Sequence, residues 1–209
     1  MKLSINPVRT ALVNVDMQRC FVEGSPLASP EGPALVARVN DLARACRETG
    51  APVVHTRGWL RPDGANLGRV PDLVPPFITD LYTAGAATAL FPKELEVAPG
   101  DVVLDKPRYG AFHGTDLDLV LRSAAVDTVL VSGIATNICC DATAREASQR
   151  DYRVVFLSDG TATKEMNGVP AAELQRATLA SLAMVFAHIA TVDEVITALR
   201  IGQRESASV

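Results

Sequence analysis

Cysteine, histidine and aromatic residues are scarce in this 209-residue chain, and each shortage removes a class of protein. The four cysteines (Cys20, Cys46, Cys139 and Cys140) are irregularly placed and contain no C-x-x-C pair. They make neither a disulfide framework nor a zinc site, so reduced thiols are the expected state. Of the three histidines, His55 and His188 fall in apolar strands, where a satisfied core histidine is the ordinary outcome, and His113 falls in a loop. No apolar run approaches the roughly 18 residues that cross a membrane. The N-terminus reaches a strand without a secretory h-region, which leads us to expect a cytoplasmic protein with no membrane partner. Basic runs and Lys/Arg-striped helices are also missing, and with a net charge of −4 the chain is not a nucleic-acid binder.

What remains is a chain that is 48% apolar and 5% aromatic, long enough to bury a sizeable core. We expect one domain over residues 1–209, with a frayed tail at 203–209. Short apolar runs at Thr10 to Val15, Pro52 to Arg57, Asp101 to Leu104, Val126 to Val131, Arg153 to Leu157 and Met184 to Ile189 read as six strands. Helical spacing occupies Ala34 to Thr49, closed by Gly50, and Asn137 to Arg150. Further helices are expected from Thr115, with Asp118 completing a capping box, at Pro170 to Leu182, and from Thr191–Glu194 to Gly202. Strands alternating with helices imply a three-layer α/β/α, Rossmann-like fold around a six-stranded, mainly parallel sheet. The segment from Gly58 to Asp80, studded with glycine and proline, is too long for a mere connection and is expected to carry function.

Three chemistry-bearing residues follow strands: Asp16 after the first, Lys106 after the third and Cys139 after the fourth. In an open parallel sheet all three reach the carboxyl edge, where such sheets bind ligands. A carboxylate, an ammonium and a thiol there can supply a proton carrier, an electrostatic aid and a nucleophile. Cys139 lies in the first turn of a helix, whose unpaired N–H groups and dipole are expected to lower a thiol pKa. Cys140 is about 100° further around and faces elsewhere. Arg57 and Trp59, and Tyr109 and Phe112 after Lys106, are read as pocket walls over Cys139, with ordinary packing the competing reading for Trp59 and Phe112. Arg57 and Arg108 carry the guanidinium fork that pairs with a carboxylate, unless they are simply solvated.

Three blocks of sequence sharpen this. They are VNVDMQ at 13–18 with Phe21, KPRYGAF at 106–112 with Thr115 and Leu117, and GIATNIC at 133–139 with Thr143 and Ala144. In order and spacing they resemble the isochorismatase-like cysteine hydrolases, and the likeness covers nearly the whole chain. The resemblance implies that Asp16 is the general base, Lys106 the cation and Cys139 the nucleophile. It also implies a cis peptide between Ile134 and Ala135 that aims the Ala135 N–H, together with that of Cys139, at an oxyanion. Phe21, in the family's Asp-x-Gln-x-x-Phe pattern, touches substrate or closes the core beneath Asp16. Cys140 stands where the family usually has an apolar residue.

Nicotinamidases of that family build a metal site from an acidic residue and two histidines after the second strand. Here residues 55–63 offer a single histidine, so no metal and no cofactor is expected. Isochorismatases proper cleave an enol ether without a thiol, whereas a complete triad with cysteine favours C–N hydrolysis. The expected partner is a small linear amide or ureido compound, with a tilt toward N-carbamoyl substrates of the ureidoacrylate and N-carbamoylsarcosine type. The resemblance further implies a homo-oligomer, dimer or tetramer. Isochorismatase or nicotinamidase activity and a redox or non-catalytic thiol protein are the alternatives, although adjacent cysteines on a helix rarely form an unstrained disulfide.

Overall fold

The computed structural model describes residues 3–206. Its strands are β1 (Thr10–Val15), β2 (Val53–Gly58), β3 (Val102–Lys106), β4 (Thr128–Ile134), β5 (Arg153–Ala162) and β6 (His188–Ala190). They form one sheet in the order β3-β2-β1-β4-β5-β6, with every neighbouring pair parallel. Strand order reverses between β1 and β4, which are buried along their whole length, as expected where helices cover both faces. The principal helices are α1 (Gly32–Thr49), α2 (Leu117–Ser123), α3 (Asp141–Ser148), α4 (Ala171–Val185) and α5 (Val192–Ser206). Leu42, Ala43 and Cys46 of α1 and Val195, Ala198 and Leu199 of α5 pack on Leu12, Leu130 and Val155 on one face. On the other, Leu117, Leu121, Ala144 and Ala147 of α2 and α3 pack on Val13, Val129, Val131 and Phe156.

Local chemistry sets the ends of these elements. Gly50 closes α1 in the left-handed region at φ 83°, its N–H bonded to the Arg47 and Cys46 carbonyls. At α5 the Thr191–Glu194 capping box forms, the Thr191 N–H donating to Glu194 Oε2 at 2.8 Å and the Glu194 N–H to Thr191 Oγ1 at 3.3 Å. The box expected at Thr115 does not form. Asp118 instead accepts from Arg122 and Tyr152, both at 2.9 Å, and α2 starts at Leu117. Several strands run one to five residues further toward the carboxyl edge than the apolar pattern showed. β5 is the extreme, continuing past Leu157 through polar Ser158 to Thr161 after a register shift against β4 between Val131 and Gly133. Met184 and Val185, expected in the last strand, end the Ala- and Leu-rich helix α4 and are exposed. Residues 203–206, expected to fray, are helical, and the Gln203 side chain donates to the Glu48 carbonyl at 3.0 Å. Residues 207–209 lie outside the described residues. Among the described residues no helix is long and apolar enough to cross a membrane.

Candidate active site at the strand reversal

The site forms where β1 and β4 end side by side. Gly133 sits at φ 121° against the end of β1, where any Cβ would lie 2.0 Å from the Val15 carbonyl oxygen, so only glycine lets the two strands stay together there. Beyond β1 the chain turns at Asp16, held at φ 51°, a left-handed conformation that aspartate tolerates better than most residues. The Asp16 carboxylate is 1% exposed and accepts from the Thr56 hydroxyl at 2.9 Å and from Lys106 Nζ at 2.7 Å. Lys106, 2% exposed, donates also to the carbonyls of Arg108 and Tyr109, at 2.8 and 2.9 Å. All three ammonium protons are therefore directed. Burial works against this charge, but Asp16 and Cys139 more than offset it and leave the Lys106 pKa above the ordinary lysine range.

Beyond β4 the Ile134–Ala135 peptide is cis. Residues Thr136–Cys140 then form one wide π-helical turn ahead of α3, with the Cys140 N–H reaching back to the Ala135 carbonyl at 3.1 Å. Ala135 and Cys139 both line the cavity described below, and among the described residues the Ala135 N–H donates to no acceptor. Cys139 is the one described cysteine that is partly exposed; Cys20, Cys46 and Cys140 are buried. The expected lowering of its pKa is overturned. Burial pushes the Cys139 thiol up to about 12; Lys106 opposes this and the Asp16 carboxylate adds to it. Around the turn, Thr136 is bonded to Gln175 at 2.5 Å and Asn137 to Thr163 at 2.6 Å, and Gln175 reaches the Ser158 carbonyl on β5 at 2.8 Å.

A cavity of about 230 Å³ opens over these groups, lined by Asp16, Lys106 and Cys139 on one side. Leu60, Val70, Val74 and Ile78 of the long post-β2 segment line it as well, with Phe21 and Tyr82, whose ring centroids are 5.9 Å apart. Burial pushes the Tyr82 hydroxyl up to about 12. Gln18 anchors this segment. Its side chain accepts from the Gly58 N–H at 2.7 Å and donates to the carbonyls of Gly58 and Ala89 at 3.0 and 2.7 Å.

The isochorismatase domain family matches residues 10–194. The chain belongs to the isochorismatase family. A ureidoacrylate amidohydrolase RutB of Methylobacterium radiotolerans is 30% identical, covering 98% of this chain and 85% of its own. One of Pseudomonas savastanoi pv. phaseolicola is 31% identical, covering 93% and 85%. Among solved structures, a cysteine hydrolase from Pseudomonas syringae pv. phaseolicola superposes with a TM-score of 0.92 at 35% identity, over 96% of both chains. An isochorismatase family protein from Desulfovibrio vulgaris gives 0.80 at 27% identity, over 92% and 98%.

In this isochorismatase-family hydrolase, six of the side chains singled out in the sequence meet at the cavity: Asp16, Phe21, Lys106, Arg108, Tyr109 and Cys139. Three expected wall residues do not reach it. Phe112 is buried in the core, its ring 5.8 Å from that of Tyr152, because its N–H is drawn to Glu146 on α3. Arg57 is held by Asp105 at 2.7 Å and lies 4.2 Å over the Trp59 ring, which keeps both away from the cavity. His55 is fully buried between Asn14, at 3.0 Å, and Asp101, at 3.1 Å. Among the described residues no three His, Cys, Asp or Glu side chains gather into a metal-binding group. The residues missed were Tyr82 and the wall at 70, 74 and 78. Val70 lies in a short 3-10 turn (Val70–Asp72) and Ile78 in a separate short helix (Pro76–Asp80), with Val74 between them, so no continuous periodicity marked them in the sequence.

Proposed function

We propose that this protein hydrolyses a C–N bond of a small linear amide or ureido compound through a thioester on Cys139. The observation that carries the reading is the buried Asp16–Lys106 ion pair at 2.7 Å beside the one partly exposed thiol, at the wall of a mainly apolar cavity. Because the resting thiol is neutral, Asp16 takes its proton as Sγ attacks the carbonyl carbon, and Lys106 balances the charge that forms. The new S–C bond pushes the carbonyl electrons onto oxygen. The N–H groups of Ala135 and Cys139 are the donors we assign to that oxyanion, each of a kind that typically contributes about 3–4 kcal/mol in the transition state. Collapse breaks the C–N bond, and protonated Asp16 gives its proton to the departing nitrogen, releasing ammonia or an amine. Asp16 then deprotonates water, which attacks the thioester and returns the thiol. Relatives named as ureidoacrylate amidohydrolases support this substrate class.

Ammonia release across a panel of primary amides and ureido acids tests the reading. Cys139→Ala and Asp16→Asn are expected to abolish release from a competent substrate, and Cys140→Ala, whose thiol is buried away from the cavity, to keep most of it. Full turnover by Cys139→Ala, or a dead Cys140→Ala, would overturn it.

A further inference from the structure

A cation lining a cavity takes its partners from protein acceptors, from water or from a bound anion. Three cations line the cavity: Lys106, Arg108 and Lys164. Lys106 has Asp16, and Lys164 Nζ donates to the Pro26 carbonyl. Arg108 is different. Its Nη1 donates to the Asn66 carbonyl at 2.7 Å and the Pro107 carbonyl at 2.6 Å, which uses that nitrogen's two protons. Among the described residues no carboxylate pairs with Arg108, and its Nε and Nη2 donate to no acceptor. The unused edge is the one whose parallel N–H bonds grip a carboxylate.

The guanidinium is also held in place. Lys106 Nζ ties down the carbonyls of Arg108 and Tyr109, so the backbone carrying the guanidinium is fixed to the ion pair. Gly68 packs against the Nη2 half of the group, at a position where a Cβ would come within 2.2 Å of that atom. Nearby Val70, Val74 and Ile78 give an apolar wall on which a charge-assisted bond gains strength. Arg57, the other guanidinium that the sequence offered for such a role, is already occupied by Asp105.

We propose that Arg108 is the carboxylate-recognising residue of this cavity. The preferred substrates are then amide or ureido acids whose carboxylate sits on the Nε–Nη2 edge while the carbonyl carbon meets Cys139. The proposal rests on the hydrolase reading above and adds the charge of the substrate to it.

The test compares 3-ureidopropanoate with its methyl ester, and succinamate with its methyl ester, by ammonia release. Wild-type protein is expected to favour the acid of each pair in kcat/KM by roughly 10- to 100-fold, the span of a hydrogen bond to a charged group. Arg108→Met brings that ratio close to one, mainly through KM, and Arg108→Lys, with charge but no fork, falls between. A variant that merely folds badly loses both members of a pair in proportion, so the ratio isolates recognition. An unchanged ratio in Arg108→Met, or a wild type that favours the esters, overturns the proposal while leaving the hydrolase reading standing. Should wild type release no ammonia from any of the four, thermal shifts decide on Arg108, and the hydrolase reading is decided by the wider panel. Stabilisation of Cys139→Ala protein by the two acids, lost in Cys139→Ala/Arg108→Met, supports the carboxylate subsite; no shift, or equal shifts, overturns it.

Discussion

Removing one member of the Asp16–Lys106 pair should destabilise the fold more than removing both. The two side chains are 1% and 2% exposed and 2.7 Å apart, so neither charge has water to fall back on. Asp16→Asn leaves a buried ammonium facing the Arg108 and Tyr109 carbonyls, the Cys139 sulfur and an amide, with no carboxylate opposite it. Lys106→Met leaves a buried carboxylate with the Thr56 hydroxyl and the Cys139 thiol as its remaining partners and no cation opposite it. Each single change is expected to cost about 3–5 kcal/mol, whereas replacing a buried pair by neutral groups is often close to neutral. For a chain of this length that corresponds to a fall in Tm of roughly 6–20 °C for each single variant. The double variant Asp16→Asn/Lys106→Met should melt above both. Urea and thermal unfolding of the four proteins measure this without any knowledge of the substrate. Single costs near 1 kcal/mol, as for an exposed pair, or two costs that simply add in the double variant, would refute the account of a desolvated, mutually dependent pair.

Two further outcomes follow from the titrating groups. With the Cys139 thiol pushed up to about 12, its alkylation by iodoacetamide should keep rising about tenfold per pH unit from 7 to 10; a plateau near neutral pH, read by peptide mapping, would mean a preformed thiolate. His55 titrates near 6.5 in the unfolded chain and lower in the fold, because burial outweighs its hydrogen bond to Asp101. Below that pH the unfolded chain binds the extra proton, so stability is full above about 6.5 and falls as pH drops toward the folded value. His55→Gln should flatten this slope in urea titrations from pH 7.5 to 5.5, and a wild type whose stability rises on acidification would contradict it.

The sheet and the meeting of Asp16, Lys106 and Cys139 at its edge were legible because their signals are local. β1 and β4 each carry a short run of Ala, Val or Leu, at 11–13 and 129–131, and Asp16, Lys106 and Cys139 each come after the apolar run of the strand that places them. What escaped notice depends on contacts distant in sequence. The far half of β5 is polar, and it is a strand only because Thr161 and Ala162 lie beside Gly133 and Ile134. Phe112 and Tyr109 sit three residues apart and look equally like pocket walls, yet one is drawn to Glu146 and Tyr152 while the other lines the cavity. Arg57 and Arg108 are likewise indistinguishable until Asp105 is seen to occupy one and only carbonyls the other. The thiol failed in the opposite direction. Sequence shows the helix that would acidify Cys139, but not the burial and the neighbouring carboxylate that outweigh it.

That reversal changes what the site has to do. A thiolate stabilised at rest would make Asp16 a bystander in the attack and its loss mainly a structural injury. A thiol whose proton is held by burial and by the Asp16 charge gives the same carboxylate, in the mechanism we propose, the task of taking that proton as the sulfur attacks. Lys106, its three donors directed at Asp16 and two backbone carbonyls, keeps that carboxylate in place and stays cationic throughout. The pair therefore carries a net charge near zero at rest and becomes cationic once Asp16 is protonated. In the mechanism we propose, that is when negative charge develops on the substrate oxygen, so the electrostatic help would arrive with the transition state and be withdrawn when Asp16 passes its proton to the leaving nitrogen.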